Sequence, residues 1–263
     1  MKIGIIGYGY VGKAVAASYE QDNVLISDPA YLNISRPLLE LKDKCDAIFI
    51  CVPTPQSKDG ACDTNILESV IKDLDGYTGV VISKSTASPI VYQYLEETSG
   101  LKLAHVPEFL TQVNAVEDYL KPNKLVIGCR RNISKEVADI IIQSRVQFYK
   151  QIDFCAIGEA AFYKYMANTF LAMKVIINNE YYDLAEKLGL DWDVLKDIAK
   201  RDSRLGDTHW AVPGPDGARG FGGACFPKDT VALGKIATDL GVEMSVLDAA
   251  LNRNYYYRKS TSN

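Results

Sequence analysis

A doubly wound parallel α/β sheet followed by a mostly helical second part is the fold this sequence predicts. Three observations predict it. Short apolar runs alternate with helical patterns over roughly the first 150 residues, a glycine cluster joins the first run to the first helix, and from Ala156 to Leu188 proline is absent. Strands separated by helices need crossover connections, which make the strands parallel and cover the sheet faces with helices. The composition change sets the expected division at 1–153 and 154–263.

The elements follow in order. Lys2–Ile6 is a short apolar run, and Gly7-Tyr8-Gly9-Tyr10-Val11-Gly12 opens a helix directly after it. Val24 to Asp28 reads as a second strand that ends in an acid, about 20 residues beyond the glycines. A lone G-x-G-x-x-G is weak, but between strand and helix with that acid it is the dinucleotide (Rossmann) fingerprint. Gly7 permits the tight turn, Gly9 lets a pyrophosphate approach the backbone, and Gly12 lets the helix pack on the strand. The pyrophosphate would rest on the helix N-terminus. Asp28 would accept hydrogen bonds from the adenosine ribose and repel a 2′-phosphate, so NAD is expected rather than NADP. A glycine-rich structural turn is the alternative, and the strand–helix context argues against it.

Ala47–Val52, Gly79–Ser83, Lys102–Val106, Lys124–Gly128 and a run near Val146–Tyr149 read as further strands. Asn65–Leu74, Pro89–Thr98 and Ser134–Ser144 read as the helices between them. Ligands bind such sheets beyond the carboxyl ends of the strands. That places Pro53-Thr54-Pro55, Lys84-Ser85-Thr86 and Pro107-Glu108-Phe109-Leu110 as candidate cofactor and substrate contacts. Ser85 and Thr86 could equally cap the next helix.

The long helix starting near Ala156 carries Lys164 and Asn168, four apart and so on one face. Tyr, Met, Phe and Leu surround them, which is unlike a solvated face, although such a pair on a helix is often ordinary surface. A helix of about 30 residues suggests a subunit interface and hence a homodimer. Beyond it, Arg201–Gly206 and Val212–Gly223 form loops rich in backbone donors and arginine, suited to phosphate groups. Gly220-Phe221-Gly222-Gly223-Ala224-Cys225-Phe226-Pro227-Lys228-Asp229 comes next. Pro227 suits the first turn of a helix, which sets Cys225 just ahead of its N-terminus. There the helix dipole and Lys228 favour the thiolate. A buried apolar cysteine in a glycine-rich turn is the structural alternative. Val246–Arg253 reads as the last helix, and Lys259–Asn263 as a frayed polar tail.

Composition bounds the rest. A net charge of −4 argues against non-specific nucleic-acid binding, which needs a basic face. No apolar run has the length of a membrane span, and the chain opens on a strand pattern rather than a signal peptide. Six cysteines without a C-x-x-C pair read as reduced thiols, so a cytoplasmic location is expected. Two histidines without ligand spacing give no reason to expect a metal.

The ordered set GYGYVG (7–12), VPTP (52–55), KST (84–86), PEFL (107–110), KYMANTFLAMKVIINNE (164–180) and GFGGACFPKD (220–229) resembles the UDP-glucose 6-dehydrogenase family of nucleotide-sugar dehydrogenases. The resemblance implies oxidation of a sugar's C6 alcohol to a carboxylate with two NAD. It makes Cys225 the nucleophile that forms a thiohemiacetal and then a thioester, with Lys164 and Asn168 stabilising the oxyanion. It gives Asp229 the water, and Glu108 the acid/base role in thioester hydrolysis. Gly7 to Gly12, Asp28, Val52, Pro53, Thr54, Ser85, Thr86 and Lys228 become cofactor contacts. Glu108, Phe109, Leu110, Lys164, Asn168, Arg204, Gly220, Phe221 and Gly222 become substrate contacts, Arg204 across a dimer interface. Two departures stand out. Gln112 occupies a position where the family carries an acid, and the match stops where the linker to the family's third, UDP-binding domain would begin. A naturally short form, a truncated chain or a partner that supplies that domain would each account for this. Another nucleotide sugar (GDP-mannose or a UDP-N-acetylhexosamine), a two-electron 3-hydroxyacid-type dehydrogenase, and an inactive NAD or nucleotide-sugar binding module are the competing readings.

Overall fold

The computed structural model describes residues 1–111, 113–122, 124–147 and 151–260. The chain divides into two compact units, Met1–Pro55 with Cys62–Lys164 and Gln56–Ala61 with Tyr165–Asn263.

In the first unit the strands are β1 (Ile3–Ile6), β2 (Val24–Ser27), β3 (Ala47–Ile50), β4 (Val80–Ser83), β5 (Lys102–His105), β6 (Leu125–Cys129) and β7 (Ile152–Cys155). They form one sheet in the order β2-β1-β3-β4-β5-β6-β7. The helices α1 (Tyr10–Ala17), α2 (Leu38–Lys44), α3 (Asn65–Asp73), α4 (Pro89–Thr98), α5 (Ala115–Leu120) and α6 (Ser134–Ile142) connect them, and α7 (Ile157–Leu188) follows β7. β1, β3 and β4 are buried along their whole length, the signature of strands covered on both faces. The side-chain period of two divides them. Ile3, Ile5, Phe49, Val80 and Ile82 enter one core cluster, while Ile6, Ile48, Ile50 and Val81 enter the other.

Register does the positioning. Ile6 pairs with Ser27 and Ile50, Ile50 with Ser83, and Ser83 with His105. The carboxyl ends of β1 to β5 therefore align, and the five segments that leave them start from one edge. The chain winds from β1 out to β2 and back to β3, so the topological switch point lies at β1 and β3.

Three expectations are corrected. β6 pairs antiparallel with β5, because the segment between them carries only the short α5 and never recrosses the sheet. The last strand is Ile152–Cys155. Val146 and Gln147 are not strand, and the rest of that expected strand, Phe148 and Tyr149, lies outside the described residues. The helices α2 and α5 were not anticipated, since six or seven residues are too few for a helical period to show.

In the second unit α7 continues to Gly189, whose φ of +68° ends it. The N–H of Leu190 then returns to the Ala185 carbonyl at 2.9 Å. α8 (Trp192–Arg201) was missed by the sequence reading; Asp191 caps it by accepting from the N–H groups of Asp193 and Val194. α9 (Phe226–Asp239) starts with Pro227 in its first turn, as expected. α10 (Ser245–Ser260) runs past Arg253, so Lys259 is helical rather than frayed, and 261–263 lie outside the described residues. Ala172, Ile176, Phe221, Ala250 and Tyr257 form this unit's main apolar cluster. Among the described residues no helix is long and apolar enough to cross a membrane.

Candidate active site

The glycine turn after β1 is built as the sequence demands. Gly7 has φ +90°, and a Cβ there would lie 2.7 Å from the Cys51 carbonyl oxygen. A Cβ on Gly12 would sit 2.0 Å from the Gly7 carbonyl oxygen, so α1 packs against the turn only as glycine allows. Gly9 differs: a Cβ there would meet nothing within 4 Å. That open side, at the N-cap of α1, fits a pyrophosphate. Tyr10 and Val11 are half-buried in the first turn. At the end of β2 the Asp28 carboxylate accepts the N–H of Tyr8 at 2.5 Å and that of Ala30 at 2.7 Å. Each oxygen keeps a lone pair for a ribose hydroxyl. The rings of Tyr8 and Tyr31 meet edge to face at 5.3 Å, with the Lys13 ammonium 4.9 Å above Tyr31.

After β3, Val52 and Thr54 are buried while Pro53 is exposed. After β4, the Ser85 hydroxyl donates to the Val52 carbonyl at 2.7 Å and so ties the two loops together. It does not cap α4; Ser88 does, accepting the Val91 N–H at 3.2 Å. Thr86 is half-buried beside it. Beneath these loops the Tyr92 hydroxyl meets the Ser83 hydroxyl at 2.7 Å and donates to the Ser85 carbonyl at 2.5 Å. His105 stacks on Tyr92 at 4.2 Å. Burial pushes the His105 pKa down to about 3, which keeps this imidazole neutral at working pH and removes it as a proton carrier.

Glu108 and Lys164 come together at a separation of 56 residues. The Lys164 ammonium donates to the Glu108 carboxylate at 3.1 Å and also to the Glu108 carbonyl oxygen. Glu108 is further fixed by the N–H of Leu110 at 2.7 Å. Phe109 lies 5.1 Å from the same ammonium and also receives Lys124 at 4.4 Å. The side chains of the pair are 4 % and 6 % exposed, so each charge depends on the other for stabilisation. Among the described residues both acceptors of Lys164 belong to Glu108, which leaves one of its three N–H donors for a ligand.

The second unit assembles the other residues. Cys225 is the N-cap of α9, half-buried and not in a disulfide. Asp229, one turn on, sends its N–H to the Cys225 carbonyl at 2.8 Å. Its carboxylate is 1 % exposed, accepting from Asn168 Nδ2 at 2.6 Å and from Lys228 at 2.7 Å. The position of Cys225 sets its sulfur at the positive end of a helix. The preceding loop is held from within. Gly220 N–H donates to Asn179 Oδ1 at 3.2 Å and Phe221 N–H to Asn254 Oδ1 at 2.7 Å. Arg258 donates to both carbonyls, and a Cβ on Gly222 would lie 2.4 Å from its guanidinium. These donors fix the loop that leads to Cys225. Arg204 is 86 % exposed and paired with Asp202 at 2.6 Å.

Lys124 is not singled out in the sequence, and Lys84 and Arg219 stand there only as members of candidate loops. Lys84 had a visible signal, a lysine at the end of an apolar strand. Arg219 lies in the loop read as suited to phosphate groups, but its bonds to Asn179 and Asp183 span about forty residues and leave no local trace. Gln112 lies outside the described residues.

Comparison with known proteins agrees with this geometry. Residues 30–147 match the NAD binding domain of the UDP-glucose/GDP-mannose dehydrogenase family, and residues 158–256 match that family's central domain. A UDP-glucose 6-dehydrogenase of Rickettsia bellii is 31 % identical over 97 % of this chain and 67 % of its own length. The UDP-glucose dehydrogenase of Pyrobaculum islandicum superposes with a TM-score of 0.83 at 27 % identity, over 97 % of this chain and 68 % of its own. The GDP-mannose dehydrogenase of Pseudomonas aeruginosa does so at 0.66 and 25 %, over all of this chain and 71 % of its own. The chain thus spans about two thirds of the relatives it matches. With the glycine turn at Gly7–Gly12 ahead of them and both domain matches in order, the chain belongs to the UDP-glucose/GDP-mannose dehydrogenase family of NAD-dependent nucleotide-sugar dehydrogenases.

Proposed function

We propose that this chain oxidises the C6 alcohol of UDP-glucose to the carboxylate in two successive two-electron steps. The observation that carries the reading is Cys225 at the N-cap of α9, one turn from an Asp229 carboxylate fixed by Asn168 and Lys228. Relatives named UDP-glucose 6-dehydrogenase, 31 % and 29 % identical over 97 % of the chain, support the sugar.

When bound, NAD accepts the hydride of each oxidation. The chain's own residues do the rest. Gly7–Gly12 and Asp28 hold the dinucleotide, with Tyr8, the 52–54 loop, Ser85, Thr86 and Lys228 as further contacts. Phe109, Leu110, Arg204 and Gly220–Gly222 contact the nucleotide sugar. The Lys164 ammonium, with Asn168, stabilises negative charge on the C6 oxygen as the alcohol proton passes to the water held by Asp229. The Cys225 sulfur adds to the aldehyde carbon and gives a thiohemiacetal, whose carbon still carries the second hydride. Loss of that hydride and of the hydroxyl proton leaves a thioester. Water held by Asp229 attacks it, Glu108 carries the proton, and the thiol is released as the carboxylate forms.

The division at 1–153 and 154–263 assigns cofactor binding to the first part, and substrate and dimer contacts to the second. A homodimer through α7 is supported by Met166, Phe170, Ile177, Tyr181, Leu184 and Leu188, each at least 47 % exposed along one helix. None of the six cysteines is in a disulfide, which suits the cytoplasm.

Turnover measured with UDP-glucose, GDP-mannose and UDP-N-acetylmannosamine tests the substrate. UDP-glucose is expected to reduce NAD fastest; a faster GDP-mannose reaction would move the assignment within the family. Cys225→Ser is expected to abolish uronate formation. Uronate formed at the wild-type rate by that variant would remove the thioester route.

A further inference from the structure

Lys84, directly after β4, is 5 % exposed, yet among the described residues no oxygen accepts a hydrogen bond from its ammonium. The ammonium lies over the face of the Tyr119 ring, 5.4 Å from its centre. The titratable groups that face it are Cys51 after β3, His105 at the end of β5, Glu108, and Lys164 on α7. Cys51 is held as a thiol, its pKa pushed up to about 12 by burial, and His105 is neutral. The charged inventory is then two ammoniums, Lys84 and Lys164, against one carboxylate, Glu108. Glu108 is already committed to Lys164 and to the Leu110 N–H. One positive charge at the carboxyl edge of the sheet is left without a counter-ion, and a buried cation in that condition calls for an anion.

We infer that Lys84 is the group that recognises the carboxylate of the oxidised sugar, so that a uronate binds in preference to the neutral sugar from which it is made. The inference rests on the nucleotide-sugar reading above. A diphosphate has the same anionic-oxygen chemistry, but β4, which leads into Lys84, is the neighbour of β5, which leads to Glu108, and is two strands from β1 and its glycine turn, which favours the reacting end of the ligand. Burial also pushes the Lys84 pKa down to about 8. The ammonium is mostly present at pH 7 and mostly lost by pH 9, and the preference goes with it.

Calorimetric titration with UDP-glucuronate and UDP-glucose, with NADH present so that nothing turns over, tests this. Wild type is expected to favour the uronate about tenfold at pH 7 and to lose most of that ratio by pH 9. Lys84→Met is expected to bring the ratio near one with UDP-glucose affinity retained, and Lys84→Arg to keep the preference at both pH values. An undiminished ratio in Lys84→Met overturns the inference. So does an equal loss for both ligands, which would assign Lys84 to the diphosphate. Should Lys84→Met not fold, a wild-type ratio unchanged between pH 7 and 9 overturns it as well. Binding of both ligands without preference overturns this inference alone, whereas binding of neither overturns the substrate reading together with it.

Discussion

Replacing Lys164 with methionine leaves the Glu108 carboxylate buried with the Leu110 N–H as its remaining bonded donor. At an effective dielectric of about 20, unit charges 3.1 Å apart attract by roughly 5 kcal/mol. Desolvation of both ions offsets much of that in the intact pair, but in the variant one ion stays desolvated without its partner. Breaking such a pair costs about 3–5 kcal/mol, and the nearby Lys84 ammonium reduces this, so a loss of about 2–4 kcal/mol is expected. Glu108→Gln is expected to lose a similar amount. The double variant Glu108→Gln/Lys164→Met should recover at least about 2 kcal/mol relative to the sum of the singles. Urea unfolding followed by circular dichroism reads all three. Additive losses, or a Lys164→Met loss below about 1 kcal/mol, would refute the view that the two charges stabilise each other in a dry site.

Other expectations follow from single groups. The His105 pKa lies at about 3 in the folded chain and near 6.5 when unfolded, so the unfolded state takes up the extra proton. Stability should fall with a slope of about 1.4 kcal/mol per pH unit as pH drops from 6.5 towards 3, for up to about 5 kcal/mol. His105→Asn should remove that slope, which urea titrations at several pH values would show. Gly12→Ala forces a Cβ to within 2.0 Å of the Gly7 carbonyl oxygen. NAD affinity should drop more than about tenfold by fluorescence titration; unchanged binding would mean the turn is not the dinucleotide site. Phe170→Glu with Leu184→Glu, both exposed on α7, should shift the molar mass by light scattering from dimer to monomer, and a wild type already monomeric would remove the proposed interface.

Which features were legible in the sequence follows from the range of the forces that set them. The glycine turn is local: positive φ and the close approach of backbone to backbone leave no other residue at Gly7 and Gly12. The start of helix α4 was legible because Pro89 marks its first turn, although its cap is Ser88 rather than Ser85 or Thr86. The direction of β6 was not legible, since it depends on whether the segment after β5 recrosses the sheet, and no residue type records that. Lys228 and Asp229 are adjacent in the sequence; the structure joins them in an ion pair and adds Asn168 from 61 residues away. The Glu108–Lys164 bond was beyond reach for the same reason, because a charged residue does not name a distant buried partner. Lys84 was legible only as a member of a candidate contact loop, because its burial depends on distant packing that the sequence does not record.

The central claim is that one cysteine retains the half-oxidised carbon so that it is oxidised again before release. Counting NADH formed per molecule of limiting UDP-glucose in a stopped-flow cell tests it most directly. The account predicts two NADH per sugar, with no free aldehyde trapped by an added amine. One NADH per sugar, with the aldehyde recovered in solution, would contradict it.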